Sequence, residues 1–278
     1  MRFHPWVWTM DEKVIRSKLP IGDMGAELYF HEELGSTNVE ANRLIDDGAP
    51  HGALVVTKSQ TAGKGRLDRQ WISISGASLT FSLVLQPDHT KTALWSRLNA
   101  LGAIAIVDVL QRYGIKAQVK WPNDVLVNGD KVAGVLVEGK WSGSELKWVI
   151  LGIGINVRPG SYPPNNLLDY PAISIEEALG QRIELDSLLL DILKSLSRWY
   201  NQVDADLFIE TWQKNLAFLG KNVVVQKGDE RIIGVVKGIR DDGVLCLQGN
   251  RGELIAIETL DSSLRPLEGE DLLDEERH

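Results

Sequence analysis

Two hydrophobic periods alternate along this chain, and a third regime opens near its C-terminal end. The segment "STNVEANRLIDDG" predicts a helix. Thr37 and Glu40 stand at capping-box spacing, Val39, Leu44 and Ile45 offer an apolar side, and Gly48 ends it. The runs "GALVVTK" and "SLTFSLVLQP" predict strands, being β-branched or alternating and bounded by glycine and proline. Leu94 to Tyr113 predicts a long, largely buried helix that stops before Gly114. Three extended segments follow, "AQVKWP", "DVLVNGDKVAGVLVEGK" and "LKWVILGIGINV", with the Asn128-Gly129 pair marking a hairpin turn. Consecutive strands of this kind predict a mixed or antiparallel sheet rather than repeated βαβ units.

After the Pro/Asn loop "RPGSYPPNN", helical patterns return at about 174–180, 186–201 and 204–214. Beyond Gly220 short alternating strands with glycine-containing turns predict a small β-barrel. The expected organisation is therefore a main domain over 1–214, a small barrel over 215–267 and an acidic tail over 268–278. Residues 1–27 carry no strong period.

Composition narrows the function classes. The 278 residues are 44% hydrophobic and 24% charged, ordinary for a globular protein, with a formal net charge of -8. That charge disfavours non-specific binding to nucleic acid or anionic membrane, so a local basic cluster carries more information than usual. A single cysteine, Cys246, excludes an intramolecular disulfide and a cysteine-based zinc site. It is expected to be a packing residue. No secretory signal or membrane-spanning run is present, and a cytoplasmic protein is expected.

The chemistry concentrates in a few places. There is no P-loop and no G-x-S-x-G elbow, and the five histidines have no metal-ligand spacing. The stretch "SQTAGKGRLDRQW" remains. Gly63 and Gly65 permit close backbone approach and positive φ, while Lys64, Arg66 and Arg69 supply charge for an anion. A solvated surface loop is the bland alternative. In "KWPND", Trp121 would anchor the segment while Lys120, Asn123 and Asp124 are presented together at a strand end, although "PND" alone is an ordinary turn signal. Lys131 precedes Gly134 on the next strand, where it could reach a cavity or simply guard an edge. Gly152, Gly154 and Asn156 in "GIGIN" mark a strand against which a ligand could lie. Ser36, Thr37 and Asn38 suit either a helix cap or a polar ligand edge.

Taken in order, "STN", "QTAGKGRLDRQW", "KWPND", "KVAGVLVE" and "GIGIN", followed by the small C-terminal domain, resemble the biotin protein ligases over roughly residues 30–267. The resemblance implies an α+β fold, a class II synthetase-like sheet with helices plus an SH3-like barrel. It implies ATP-dependent formation of biotinyl-5′-AMP and transfer of biotin to a lysine of the carboxyl carrier domain of acetyl-CoA carboxylase. ATP and biotin are then substrates, with Mg2+, and the chain supplies no metal-ligand set of its own.

Residue by residue, Ser36, Thr37, Asn38 and Gln60 would meet the biotin head. Gly63, Lys64, Gly65 and Arg66 would close over it, and Gly134, Gly152 and Gly154 would line its pocket. Arg66 and Arg69 would face phosphate, Trp71 would form the adenine side, and Lys120, Asn123 and Asn156 would approach the nucleotide. Asp124 would sit beside the reacting centre and help deprotonate the incoming amine, and Lys131 would approach the biotin carboxylate and α-phosphate. The usual loop is G-R-G-R-x-G-R, whereas this chain has G-K-G-R-L-D-R, so Lys64 and Asp68 depart from it. A lipoate ligase or octanoyl transferase is the nearest alternative, and a non-enzymatic biotin-binding module is a further one. A DNA-binding repressor is disfavoured by the short N-terminal segment and the net charge. The resemblance allows a homodimer through sheet-edge contacts.

Overall fold

The computed structural model describes residues 10–19, 24–25, 27–88, 95–168, 170–258 and 262–267. The acidic tail expected over 268–278 lies outside the described residues. Where no element was expected, helix α1 spans Glu12–Lys18. Asp11 caps it by accepting from Lys13 N and Val14 N, and only Ile15 is buried, so no apolar period advertises it.

A seven-stranded sheet forms the body, in the order β1-β2-β3-β7-β6-β5-β4. Its strands are β1 (Leu28–Leu34), β2 (Leu54–Gln60), β3 (Ser78–Leu85), β4 (Ala117–Lys120), β5 (Asp124–Val127), β6 (Asp130–Ser142) and β7 (Glu145–Asn156). Only β1 and β2 pair in parallel, which makes the sheet mixed, as expected. They are joined through helix α2 (Thr37–Asp46), a right-sized crossover for parallel neighbours. Asn128 and Gly129 both take positive φ at the β5–β6 hairpin, as a primed turn requires.

The central strands have two unlike faces. Leu79, Phe81, Leu83 and Leu85 of β3, with Val149, Leu151, Ile153 and Ile155 of β7, belong to the main core. Against that face packs helix α3 (Trp95–Arg112), whose Gly102 lets it approach β6: a Cβ there would lie 2.9 Å from Val135 Cγ1. Asp108 interrupts the apolar run of α3 because it is a hub. It accepts from Ser195 Oγ at 2.7 Å and pairs with Arg112 at 3.0 Å and Arg198 at 2.7 Å. These contacts hold helix α5 (Leu185–Tyr200), which follows the short helix α4 (Ile175–Leu179) and precedes α6 (Asp206–Lys214).

On the opposite face α2 covers only one end. Ala41, Leu44 and Ile45 pack with Val55, Val84 and Ile150 in a separate cluster. Val39, expected on the apolar side, is instead 51% exposed. The expected capping box is also absent. Ser36 occupies the N-cap position and Thr37 is the first helical residue, its hydroxyl turned to Gln60 Oε1 at 3.1 Å instead.

The chain end forms a five-stranded antiparallel sheet, β11-β10-β9-β8-β12. Its strands are β8 (Asn222–Lys227), β9 (Glu230–Ile239), β10 (Leu245–Gln248), β11 (Leu254–Ile257) and β12 (Ser263–Pro266). Among the described residues β11 and β12 remain the two edges, so the antiparallel β unit is present without a ladder closing it into a barrel. Several bonds tie it to the body. Arg97 donates to Asp241 O at 2.9 Å and Val203 O at 3.0 Å, Trp121 Nε1 to Gly243 O at 3.0 Å, and Ile239 N to Gln213 Oε1 at 2.7 Å. No helix among the described residues is long and apolar enough to cross a membrane.

Arg97 is 7% exposed and its guanidinium serves backbone carbonyls of both units. Arg97→Met keeps the packing but strands those carbonyls, at a cost of about 2–3 kcal/mol. The melting temperature should fall by roughly 5–10 °C, measured by calorimetry.

Candidate active site

The uncovered part of the sheet floors a cavity of about 150 Å³. Its floor is one face of β3 and β7, where Thr80 pairs with Gly154, and Gly152, paired with Ser82, lies next along β7. Gly134 of β6 lies beside Gly154 and Leu136 beside Gly152. The glycines are bare because other side chains take their space. A Cβ on Gly152 would stand 2.1 Å from Asn38 Oδ1, and one on Gly154 would stand 2.3 Å from Trp71 Cε2. The Trp71 indole therefore lies over Gly154 and extends toward Gly134.

One end of the cavity is a polar cluster at the start of α2. Gln60 Oε1 accepts from Thr37 N at 2.8 Å, the Ser82 hydroxyl lies 2.7 Å from Thr37 Oγ1 and 2.6 Å from Asn38 Oδ1, and Asn38 Nδ2 donates to Glu138 Oε2 at 2.6 Å. The other end is ionic. Lys131 Nζ lies 2.7 Å and Lys120 Nζ 3.5 Å from the two carboxylate oxygens of Asp124. Lys120 also stands 3.9 Å over the Tyr170 ring.

The basic loop forms the wall above. Arg69 N donates to Arg66 O at 3.1 Å, Gly65 N to Arg69 O at 2.7 Å and Trp71 N to Gly63 O at 3.0 Å, closing a small hairpin. Its tip residues Leu67 and Asp68 have φ of 54° and 58°. This corrects the expected use of the glycines. Gly63 and Gly65 are absent from the positive-φ positions and instead provide room: a Cβ on Gly63 would sit 2.3 Å from Trp71 O. Positive φ falls on a leucine and an aspartate, and the leucine costs about 1–2 kcal/mol there. Arg66 reaches out from the tip, donating to Asn123 Oδ1 at 3.0 Å and to Ser262 O at 3.1 Å.

Residues 35–156 match the Biotin/lipoate A/B protein ligase family, and residues 218–263 match the Biotin protein ligase C terminal domain. The chain is 36% identical over 251 residues to the Bifunctional ligase/repressor BirA of Bacillus subtilis, covering 87% of this chain and 76% of that one. The chain belongs to the biotin protein ligase family. It is also 32% identical over 235 residues to the Biotin–[acetyl-CoA-carboxylase] ligase of Paracoccus denitrificans, covering 79% of this chain and 93% of that one. Its fold matches the biotin protein ligase from Aquifex aeolicus in complex with biotin and ATP, with a TM-score of 0.73 and 28% identity over 87% of this chain and 99% of that one.

Within this ligase fold, the expected residues Ser36, Thr37, Asn38, Gln60, Lys64, Gly65, Arg66, Arg69, Trp71, Lys120, Asp124, Lys131, Gly134, Gly152 and Gly154 all line the cavity. Gly63, Asn123 and Asn156 are set behind it. Asn123 bridges Arg66 and, through Nδ2, the Val135 carbonyl, while Asn156 Nδ2 lies 3.4 Å from Lys131 O. Sequence reasoning missed Thr80, Ser82, Glu138, Tyr170 and the lining segment Ser262–Leu264. The alternation of "SLTFS" carried a signal for Thr80 and Ser82, a polar stripe on an otherwise apolar strand. Nothing local marks the others.

Burial pushes the Asp124 carboxyl up, but Lys131 and Lys120 together outweigh it and hold the pKa at about 2. Such a carboxylate is a weak base and a firm anchor. Burial lowers the pKa of Lys120, and Asp124 opposes that shift. Because Asp124 is depressed below its ordinary 3.8, its pairing stabilises the ligase fold above about pH 4 and is lost as pH falls toward 2. The stability gap between wild type and Asp124→Asn should therefore be flat from about pH 5 to 8 and close below about pH 4, read by denaturant titration at each pH.

The loop tip yields a second expectation. Asp68→Gly removes the steric cost at a φ of 58°, and Lys64→Arg restores a planar fork facing the cavity. Both should slow release of bound adenylate, measured by ligand-chase kinetics, and unchanged rates in both would overturn this role for the loop.

Proposed function

We propose that this chain binds biotin with its head at the Thr37–Gln60 end and its carboxylate toward Lys131, and joins it to ATP. The observation that carries this reading is the polarity of the trough. Neutral hydrogen-bonding groups stand at one end and a lysine pair at the other, with glycine backbone and the Trp71 ring over it between them. Along the row from Gly134 through Gly154 to Thr80 is two strand spacings, about 10 Å, which suits an extended acid with a polar ring.

In the first step a biotin carboxylate oxygen forms a bond to the α-phosphorus, the bridge to the β-phosphate breaks, and pyrophosphate leaves. An anion thus approaches a polyanion, and Lys131, Lys120, Arg66 and Arg69 offset the repulsion. Asp124 fixes both lysine ammonium groups in the trough, a positioning role that its depressed pKa favours over proton abstraction. In the second step a carrier lysine amine forms a bond to the acyl carbon, AMP departs with the broken C–O bond, and the amine proton passes to solvent. No protein nucleophile is needed.

Asp124 is the one carboxylate among the cavity-lining residues, and it is already paired. A dedicated magnesium cage does not fit such a donor set. Mg2+ is therefore assigned to the nucleotide and enters as MgATP, held chiefly by phosphate oxygens and water. The loop and Trp71 would cover the adenylate and keep water from hydrolysing it. The acceptor is the carboxyl carrier domain of acetyl-CoA carboxylase.

Incubation with biotin and MgATP should release pyrophosphate and transfer biotin to a carrier domain, with lipoate competing poorly. Lys131→Met should lower the adenylation rate by at least about 100-fold. Pyrophosphate release without transfer would limit the chain to adenylation, and efficient lipoate transfer would favour a lipoate ligase.

A further inference from the structure

Most polar groups on the cavity floor are already engaged within the protein. Gln60 Oε1 accepts from the Thr37 amide and hydroxyl, and Ser82 lies within 2.7 Å of both Thr37 and Asn38. On the same sheet face but outside the cavity, Ser78 Oγ accepts from Ile74 N at 3.0 Å and Thr57 Oγ1 donates to Ser59 O at 2.8 Å. Thr80 differs. Its residue is 4% exposed and lines the cavity, yet its buried hydroxyl has no partner among the described residues.

Register fixes the sheet face and row on which Thr80 lies. Asp124 pairs with Gly134, Gly134 with Gly154, Gly154 with Thr80, and Thr80 with Thr57, so these residues form one row across five strands on one face. Lys131 Nζ comes within 3.2 Å of a Cβ built on Gly134, and the Trp71 ring covers Gly154. Thr80 thus stands on the far side of Trp71 from Lys131, next along β3 to Ser82 and its partner Thr37. A ligand that exchanges one hydrogen bond for another gains little at Gln60 or Ser82. A bond to Thr80 relieves an existing deficit, so it discriminates more strongly.

We propose that Thr80 is a specificity-determining residue whose hydroxyl bonds the cyclic urea of the bound acid's head. This rests on the biotin reading above and adds a contact to it. A hydroxyl both donates and accepts, so it can meet either a urea N–H or the urea oxygen. Thr80→Val keeps the shape of the side chain and removes only the unpartnered group.

The test is calorimetric titration of the full chain with biotin and with desthiobiotin, which keeps the urea but lacks the thioether ring, alongside thermal melting without ligand. Thr80→Val should melt at or above the wild-type temperature while its affinity for both ligands falls about 5- to 30-fold. Thr80→Ser should recover most of that loss. Unchanged affinity in Thr80→Val would overturn the proposal, as would a loss confined to biotin, which would place the contact at the sulfur edge. A lowered melting temperature not recovered in Thr80→Ser would make the role structural and equally overturn it. Normal wild-type binding with an unaffected variant removes Thr80 alone. Absence of biotin binding by the wild type removes the ligase reading as well.

Discussion

Strands β3, β7 and β6 must be apolar on one face to hold α3 and nearly free of side chains on the other to leave a trough. The two demands meet residue by residue. Along β7, Leu151, Ile153 and Ile155 enter the core, while Gly152, Gly154 and Asn156 alternate with them on the open side. Along β3 the open side is Ser78, Thr80 and Ser82. Small or polar residues there would weaken an ordinary sheet, because glycine packs nothing and buried hydroxyls need partners. Helix α3 on the reverse face and the α2 cluster at one end supply the packing that this face gives up.

Charge is placed with the same economy in a chain whose net charge is -8. The cations that face the trough come from three separate elements: the loop, the end of β4 and the start of β6. Two of them, Lys120 and Lys131, share one carboxylate, Asp124, at the corner where β5 turns back from the "KWPND" segment. Trp121, 1% exposed and bonded to Gly243 O, fixes that corner from beneath.

Much of the fold was legible because period and punctuation agree along the chain. The strands of the sheet core, the long helix and the Asn128-Gly129 hairpin all sit where pattern and turn chemistry put them. Misreadings arose where tertiary contacts override local rules. Thr37 has the spacing of a cap, but Gln60 across the parallel pair offers its hydroxyl a better partner. Helix α1 buries one residue, too few for a period. In the loop, glycine suggested positive φ, yet crowding by the Trp71 carbonyl is what demands Gly63. Of the cavity, the local motifs identified the loop, the lysines and the bare strand. They could not identify Tyr170 or Ser262–Leu264, which come to the site from distant segments.

The contact of Arg66 with Ser262 O joins positions separated by 196 residues. A chain emerging from the ribosome can pair the seven strands and form the polar end of the trough once β7 is made, and helices α5 and α6 complete the core after it. Arg66 can meet Asn123 by then, but its second anchor, Ser262 O, appears only just before β12, which begins at Ser263. Nascent chains would therefore pass through a form with a paired floor and a wall held at one of its two anchors.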